Sequence, residues 1–94
     1  MTKVILSGYI SVVDSDLNVV RQALSTHIAA TKAEPGCIVF KVDEDPDEQG
    51  RFNVYEEFAD KRAFEVHQER VRASEWGTIS QNVRRNYTVE GLDE

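Results

Sequence analysis

The chain of 94 residues holds one cysteine, two prolines, one tryptophan and two histidines. A lone Cys37 excludes an intrachain disulfide and any zinc site built from cysteines. Two prolines, beside 40% hydrophobic and 30% charged residues, do not suit a disordered chain. No stretch approaches the roughly 18 apolar residues that a membrane-spanning helix needs. Met1 to Val20 does not read as a signal peptide, because Ser7, Gly8, Ser11 and Asp14 interrupt its apolar run and no basic start precedes it. Positive charge is also scarce: 11 Lys and Arg face 17 Asp and Glu, a net charge of −6. That balance disfavours nucleic acid and anionic membranes as partners. The phosphate loop, the GxGxxG dinucleotide turn and the GxSxG nucleophile elbow are all missing. The histidines and the cysteine stand at no metal-ligand spacing. The expectation is one cytoplasmic domain over 1–94, with an ordered core over about 3–90 and a loose tail at 91–94. A chain of this size buries about 65% of the surface its unfolded form exposes.

What is present reads as alternating strands and helices. Lys3 to Val13 is rich in β-branched and aromatic residues, with Val4, Leu6, Ile10 and Val12 on one face and Ile5, Tyr9 and Val13 on the other. Asp14-Ser15-Asp16 offers a helix start with Ser15 as its cap, and Leu17, Val20, Leu24, Ile28 and Thr31 form an apolar stripe. Pro35 stops that helix and Gly36 turns the chain. Cys37 to Val42 is the second strand, leading into an acidic loop that ends at Gly50. Arg51 to Phe58 is the third, with Phe52, Val54 and Phe58 opposite Asn53, Tyr55 and Glu57. Asp60 caps a second helix carrying Phe64, His67 and Val71, running on toward Trp76 and ending at Gly77. Asn82 to Glu90 is the last strand. The order β-α-β-β-α-β predicts an α+β, ferredoxin-like fold: a four-stranded antiparallel sheet with two helices on one face. Strands apolar on both faces need cover on both, so a homodimer through the sheet face is expected.

Few residues offer chemistry. Asp43, Asp45 and Asp47 open like a calcium loop, but Glu48 and Val54 stand where its glycine and bidentate glutamate belong, leaving a solvated hairpin tip. His67 points from the second helix toward the sheet, as a core histidine with one hydrogen bond or as a pocket group able to carry a proton. His27 lies beside the first helix's stripe. Trp76 either walls a cavity or plugs the end of the sheet. Glu56 shares a face with Phe52 and Val54, where its pKa would rise unless a strand edge exposes it. Adjacent Arg84 and Arg85 must face opposite ways. Cys37 reads as a small core residue.

In Glu34-Pro35-Gly36-Cys37, in Arg51-Phe52-Asn53-Val54-Tyr55-Glu56-Glu57-Phe58 and in Ala63-Phe64-Glu65-Val66-His67-Gln68, the chain resembles the antibiotic biosynthesis monooxygenase (ABM) family over nearly its whole length. The resemblance implies a dimeric α+β barrel with a pocket between helices and sheet in each subunit. It further implies a monooxygenase that oxidises a small aromatic or quinol-type substrate with O2 and no cofactor, taking a proton and stabilising the resulting anion. On that reading His67 is the base or orienting group, Tyr55 or Arg84 donates to the oxyanion, and Trp76, Phe64 and His27 contact substrate. Haem-degrading relatives carry an asparagine on the first strand, where this chain has Ser7. A non-redox isomerase or a small-ligand-binding protein on the same barrel stays open as the alternative. The Pro-His that often follows the second helix in family members is absent from Arg70–Gly77.

Overall fold

The computed structural model describes residues 2–92. In chain order these form β1 (Val4–Ser11), α1 (Leu17–Lys32), β2 (Cys37–Glu44), β3 (Arg51–Phe58), α2 (Lys61–Arg72), α3 (Glu75–Ile79) and β4 (Arg84–Glu90). Single 3₁₀ turns at Asp14–Asp16 and Ser80–Asn82 lead into α1 and β4. The strands make one sheet in the order β2-β3-β1-β4, with every neighbouring pair antiparallel. The fold is therefore the α+β, ferredoxin-like arrangement expected from the element order, with the short α3 added. None of the described helices is long and apolar enough to cross a membrane.

Alternation along β1 and β3 decides what faces the helices. Val4, Leu6 and Ile10 are buried, and the register sets Leu6 opposite Glu56 and Ile10 opposite Phe52. Phe52, Val54, Glu56 and Phe58 therefore line the same inner face. Gly8 interrupts this row at φ +148°, where a Cβ would lie 1.9 Å from the Asn86 carbonyl oxygen of β4. Only glycine lets the two strands approach so closely there.

The helices depart from expectation in instructive ways. Ser15 does not cap α1: the Asp16 amide donates to the Val13 carbonyl at 2.9 Å, closing a 3₁₀ turn that takes Ser15 inside it. The buried stripe of α1 is Leu17, Val20, Leu24, His27 and Thr31, so His27 holds the place expected of Ile28, which is half-buried. Asp60 does cap α2, accepting from the Ala63 amide at 2.8 Å. That helix stops at Arg72 instead of continuing to Trp76. Ser74 then caps α3, its hydroxyl accepting from the Gly77 amide at 3.2 Å and donating to the Val71 carbonyl at 2.7 Å. Gly77 thus lies within α3 and ends nothing. A Cβ on it would sit 2.2 Å from the Val71 carbonyl oxygen, so the missing side chain is what lets α3 fold back over the end of α2.

Among the described residues nothing covers the sheet's outer face. Ile5, Tyr9 and Tyr55 lie there among polar ties: Tyr55 donates to Glu57 at 2.6 Å, Lys3 pairs with Glu57 at 2.9 Å, and the Arg51 guanidinium sits 3.8 Å over the Tyr9 ring. Val13, expected on this face, falls beyond β1 and is exposed. The last strand begins at Arg84, not Asn82, because Ser80–Asn82 is a turn. Of the expected tail, Leu92 packs against the core, while residues 93 and 94 lie outside the described residues.

Candidate functional site

His67 is the centre of a buried polar chain. The 64/67 face of α2 presses it onto β3, leaving it 4% exposed, with its ring 4.8 Å from that of Phe58. Its Nδ1 lies 3.1 Å from Glu34 Oε2, and its Nε2 lies 3.9 Å from Glu56 Oε1. Glu34 is placed by the turn at Pro35-Gly36, where proline ends the helical path. Arg70, one turn beyond His67, donates from Nε to the same Glu34 oxygen at 2.5 Å and from a terminal nitrogen to Thr31 Oγ1 at 2.8 Å. Thr31 in turn donates to the His27 carbonyl at 2.8 Å. A carboxylate paired with a guanidinium is an acceptor, so the network assigns the His67 proton to Nδ1 and its lone pair to Nε2, on the side of Glu56. Burial lowers the His67 pKa against the opposing pull of Glu34, so the ring is neutral at pH 7.

Glu56 is the exceptional group. Strand alternation sends it inward among Phe52, Val54 and Phe58, only 6% exposed, and Oε1 has no hydrogen-bond partner. Burial, helped by the nearby Glu34 charge, raises its pKa to about 7. His27 is its opposite number on α1: Nδ1 has no partner, and burial, reinforced by repulsion from Arg70 and from His67 once that ring is protonated, lowers its pKa to about 3. The His27 ring stacks on Trp76 at 4.9 Å and 11°, and meets the Phe40 edge at 5.4 Å. Glu56, His27, Trp76, Phe40 and Tyr87 surround a cavity of about 30 Å³. Tyr87 keeps one side in water, while burial of its hydroxyl, with Glu56 second, raises its pKa to about 12. Among the described residues no group of three or more His, Cys, Asp or Glu could hold a metal ion.

The fold brings together His67, His27 and Trp76, and separates the others. Tyr55 and Arg84 lie on the outer face of the sheet, with Tyr55 bonded to Glu57 and Arg84 opposite Ser11 at the exposed β4 edge. Within one chain neither reaches His67, since a strand turns successive side chains to opposite sides. On the inner face of the same strands stand Glu56 and Tyr87. Arg85, inward as the adjacent pair requires, donates to Ser80 Oγ at 2.9 Å. Phe64 does not line the cavity: it stands edge-on to Phe58 at 5.6 Å and supports the ring beneath His67. Glu56 is not at a strand edge, because β3 is interior to the sheet. Its signal was its place in the alternating run Phe52-Val54-Glu56-Phe58. Glu34 signalled itself only as the acid before Pro-Gly, and Tyr87 had no signal beyond its alternation with Arg85.

The arrangement can accept a proton at a buried carboxyl and pass it to a neutral imidazole. The sequence pattern of the antibiotic biosynthesis monooxygenase family matches residues 4–80. A candidate antibiotic biosynthesis monooxygenase from Deinococcus radiodurans is 26% identical and superposes with a TM-score of 0.78 over 97% of this chain and 93% of its own. Another candidate of that kind, from Nitrosomonas europaea, is 20% identical, with a TM-score of 0.79 over the whole of both chains. A Bacteroides thetaiotaomicron protein of unknown function, described as a possible oxidoreductase, is 17% identical, with a TM-score of 0.77 over 95% and 94%. No functionally curated protein matches the sequence. With more than three quarters of its length matching the family pattern, this chain belongs to the antibiotic biosynthesis monooxygenase family.

Proposed function

We propose that the protein is a cofactor-independent monooxygenase of the cytoplasm that oxidises a small aromatic or quinol-type substrate with O2. One observation carries the reading. A buried carboxyl that titrates near neutrality, its Oε1 without a hydrogen-bond partner, faces a small cavity, with the neutral His67 Nε2 behind it. Family membership supplies the reaction class; this pair supplies the chemistry. Glu56 accepts the proton of an activated C–H or phenolic O–H, forming its own O–H bond and leaving the electron pair on the substrate. His67 Nε2 takes up that proton when the 3.9 Å gap closes, and Glu34 keeps the ring oriented. The electron-rich anion then reduces O2 itself. For a hydroquinone with a free ring position, substrate and O2 become a hydroxyquinone and water, with all four electrons coming from the substrate.

Oxygen consumption by chelator-treated protein across a panel of hydroquinones and anthrones tests this reading. Wild-type protein is expected to take up O2, and His67→Ala to lose at least tenfold of kcat/KM. Substrate turnover without O2 uptake would instead favour a non-redox isomerase, which the same proton-moving pair could serve. The bare outer face, with Ile5, Tyr9 and Tyr55, supports a homodimer built sheet to sheet. Light scattering at micromolar concentration is expected to give twice the chain mass, and a monomeric mass would refute that assembly.

A further inference from the structure

The cavity at Glu56 has a partition on one side. At about 30 Å³ it has room for about one water molecule and none for an aromatic ring. On the far side of His27 and Trp76 lies a larger cleft, of about 260 Å³, between α1 and α3. These two residues line both spaces, and their rings stack almost parallel, so the stack itself divides cleft from cavity. The two halves of the partition differ in anchorage. His27 sits in the middle of a 16-residue helix, its neighbour Thr31 tied into the Arg70 network. Trp76 sits on a helix of 5 residues, between the break at Ala73–Ser74 and a 3₁₀ turn, and is only half-buried. Opposite it, α1 presents Ala23, Thr26 and Ala30, short side chains that leave a slot beside the indole. Two buried polar atoms here have no partner: Nδ1 of His27, within the stack, and Oε1 of Glu56, on the cavity. A buried polar atom left unpaired costs stability, and a ligand hydroxyl would satisfy it.

We infer that the α1–α3 cleft is the access route and outer binding site for a one- or two-ring phenol or hydroquinone, which reaches Glu56 by displacing Trp76 from its stack on His27. The choice of ligand rests on the oxygenase reading above. Indole is itself a two-ring system, so the room it vacates fits one or two rings over the imidazole. A three-ring anthrone overfills that room and binds more weakly. Within the slot a ligand hydroxyl donates to Glu56, and the ring takes over the stacking surface of His27.

Because the chain has one tryptophan, its indole N–H gives one resonance and reports on Trp76 alone. The experiment titrates 1,4-naphthohydroquinone and anthrone into the ¹⁵N-labelled protein without oxygen, with binding measured in parallel by calorimetry. Ala23→Phe and Ala30→Phe, each filling the slot from α1, serve as the blocking variants, their folding checked by circular dichroism. The expected result is a saturable shift of the indole resonance with naphthohydroquinone. Binding should be at least tenfold weaker for anthrone and for whichever blocking variants fold. Calorimetric binding with an unmoved indole resonance would overturn the route, and so would undiminished binding in a folded blocking variant. Admitting oxygen separates the two claims. Indole displacement without O2 uptake keeps the site and overturns the oxygenase. O2 uptake without displacement does the reverse, and neither signal overturns both.

Discussion

Replacing Glu56 by glutamine should lower O2 uptake at least a hundredfold, the scale of losing a positioned base, while leaving the protein folded. Glutamine keeps the shape of the side chain and cannot accept the substrate proton. The same substitution has a signature in stability that is independent of activity. The carboxyl titrates at about 7 in the fold against an ordinary value of 4.5, so between those values the folded state binds more protons than the unfolded one. Stability linked to Glu56 is therefore greatest below pH 4.5 and is lost as pH rises through 7, by roughly 3 kcal/mol in all. His27 acts in the other direction: with its folded pKa near 3, its contribution is intact above 6.5 and lost as pH falls toward 3. Comparing wild type with Glu56→Gln cancels the histidine. Urea unfolding from pH 4 to pH 9 should show wild type losing roughly 3 kcal/mol relative to the variant as pH rises. A constant difference would mean that Glu56 is not held in the buried, unpaired state described.

Phe58→Ala should cost about 4 kcal/mol, a large share of the stability of a domain this size. Phe58 is wholly buried at the end of β3, between the Phe64 edge and the His67 ring. Truncation removes its burial and leaves a void that neither neighbour can fill without leaving its helix face. The expected reading is a lower midpoint of urea unfolding at an unchanged slope. A loss below about 1 kcal/mol would show that the core closes over the gap, and that His67 is not seated on Phe58 as described.

The architecture was legible because period and punctuation agreed. Two-residue alternation in β1 and β3, the three-and-four spacing of α1 and α2, Asp60 and Pro35-Gly36 all indicated the same element order. Boundaries gave way where a local bond competed: the Asp16 amide to the Val13 carbonyl displaced the Ser15 cap, and Ser74 broke one helix into two. The candidate site was legible in its histidine and tryptophan, half-legible in Glu56 and hidden in Glu34. His67 stands out on an apolar stripe, whereas Glu56 alternates with Phe52 and Val54 and could still sit at an exposed edge until the strand order makes β3 an inner strand. His27 was shadowed by Ile28, although 17, 20, 24, 27 and 31 keep the more regular spacing. The cluster of Glu34, His67 and Arg70 joins groups more than thirty positions apart, a proximity set by how α2 packs beside the end of α1 and carried by no local pattern.

The central claim is that a carboxyl titrating near neutrality takes the substrate proton. Its most direct test is the pH dependence of kcat/KM for O2 uptake between pH 5.5 and 8.5, corrected for spontaneous oxidation of the substrate. The rate should rise as pH increases, with an inflection near 7 in wild type that is absent from the residual activity of Glu56→Gln. A flat wild-type profile, or an inflection that survives in Glu56→Gln, would contradict the assignment.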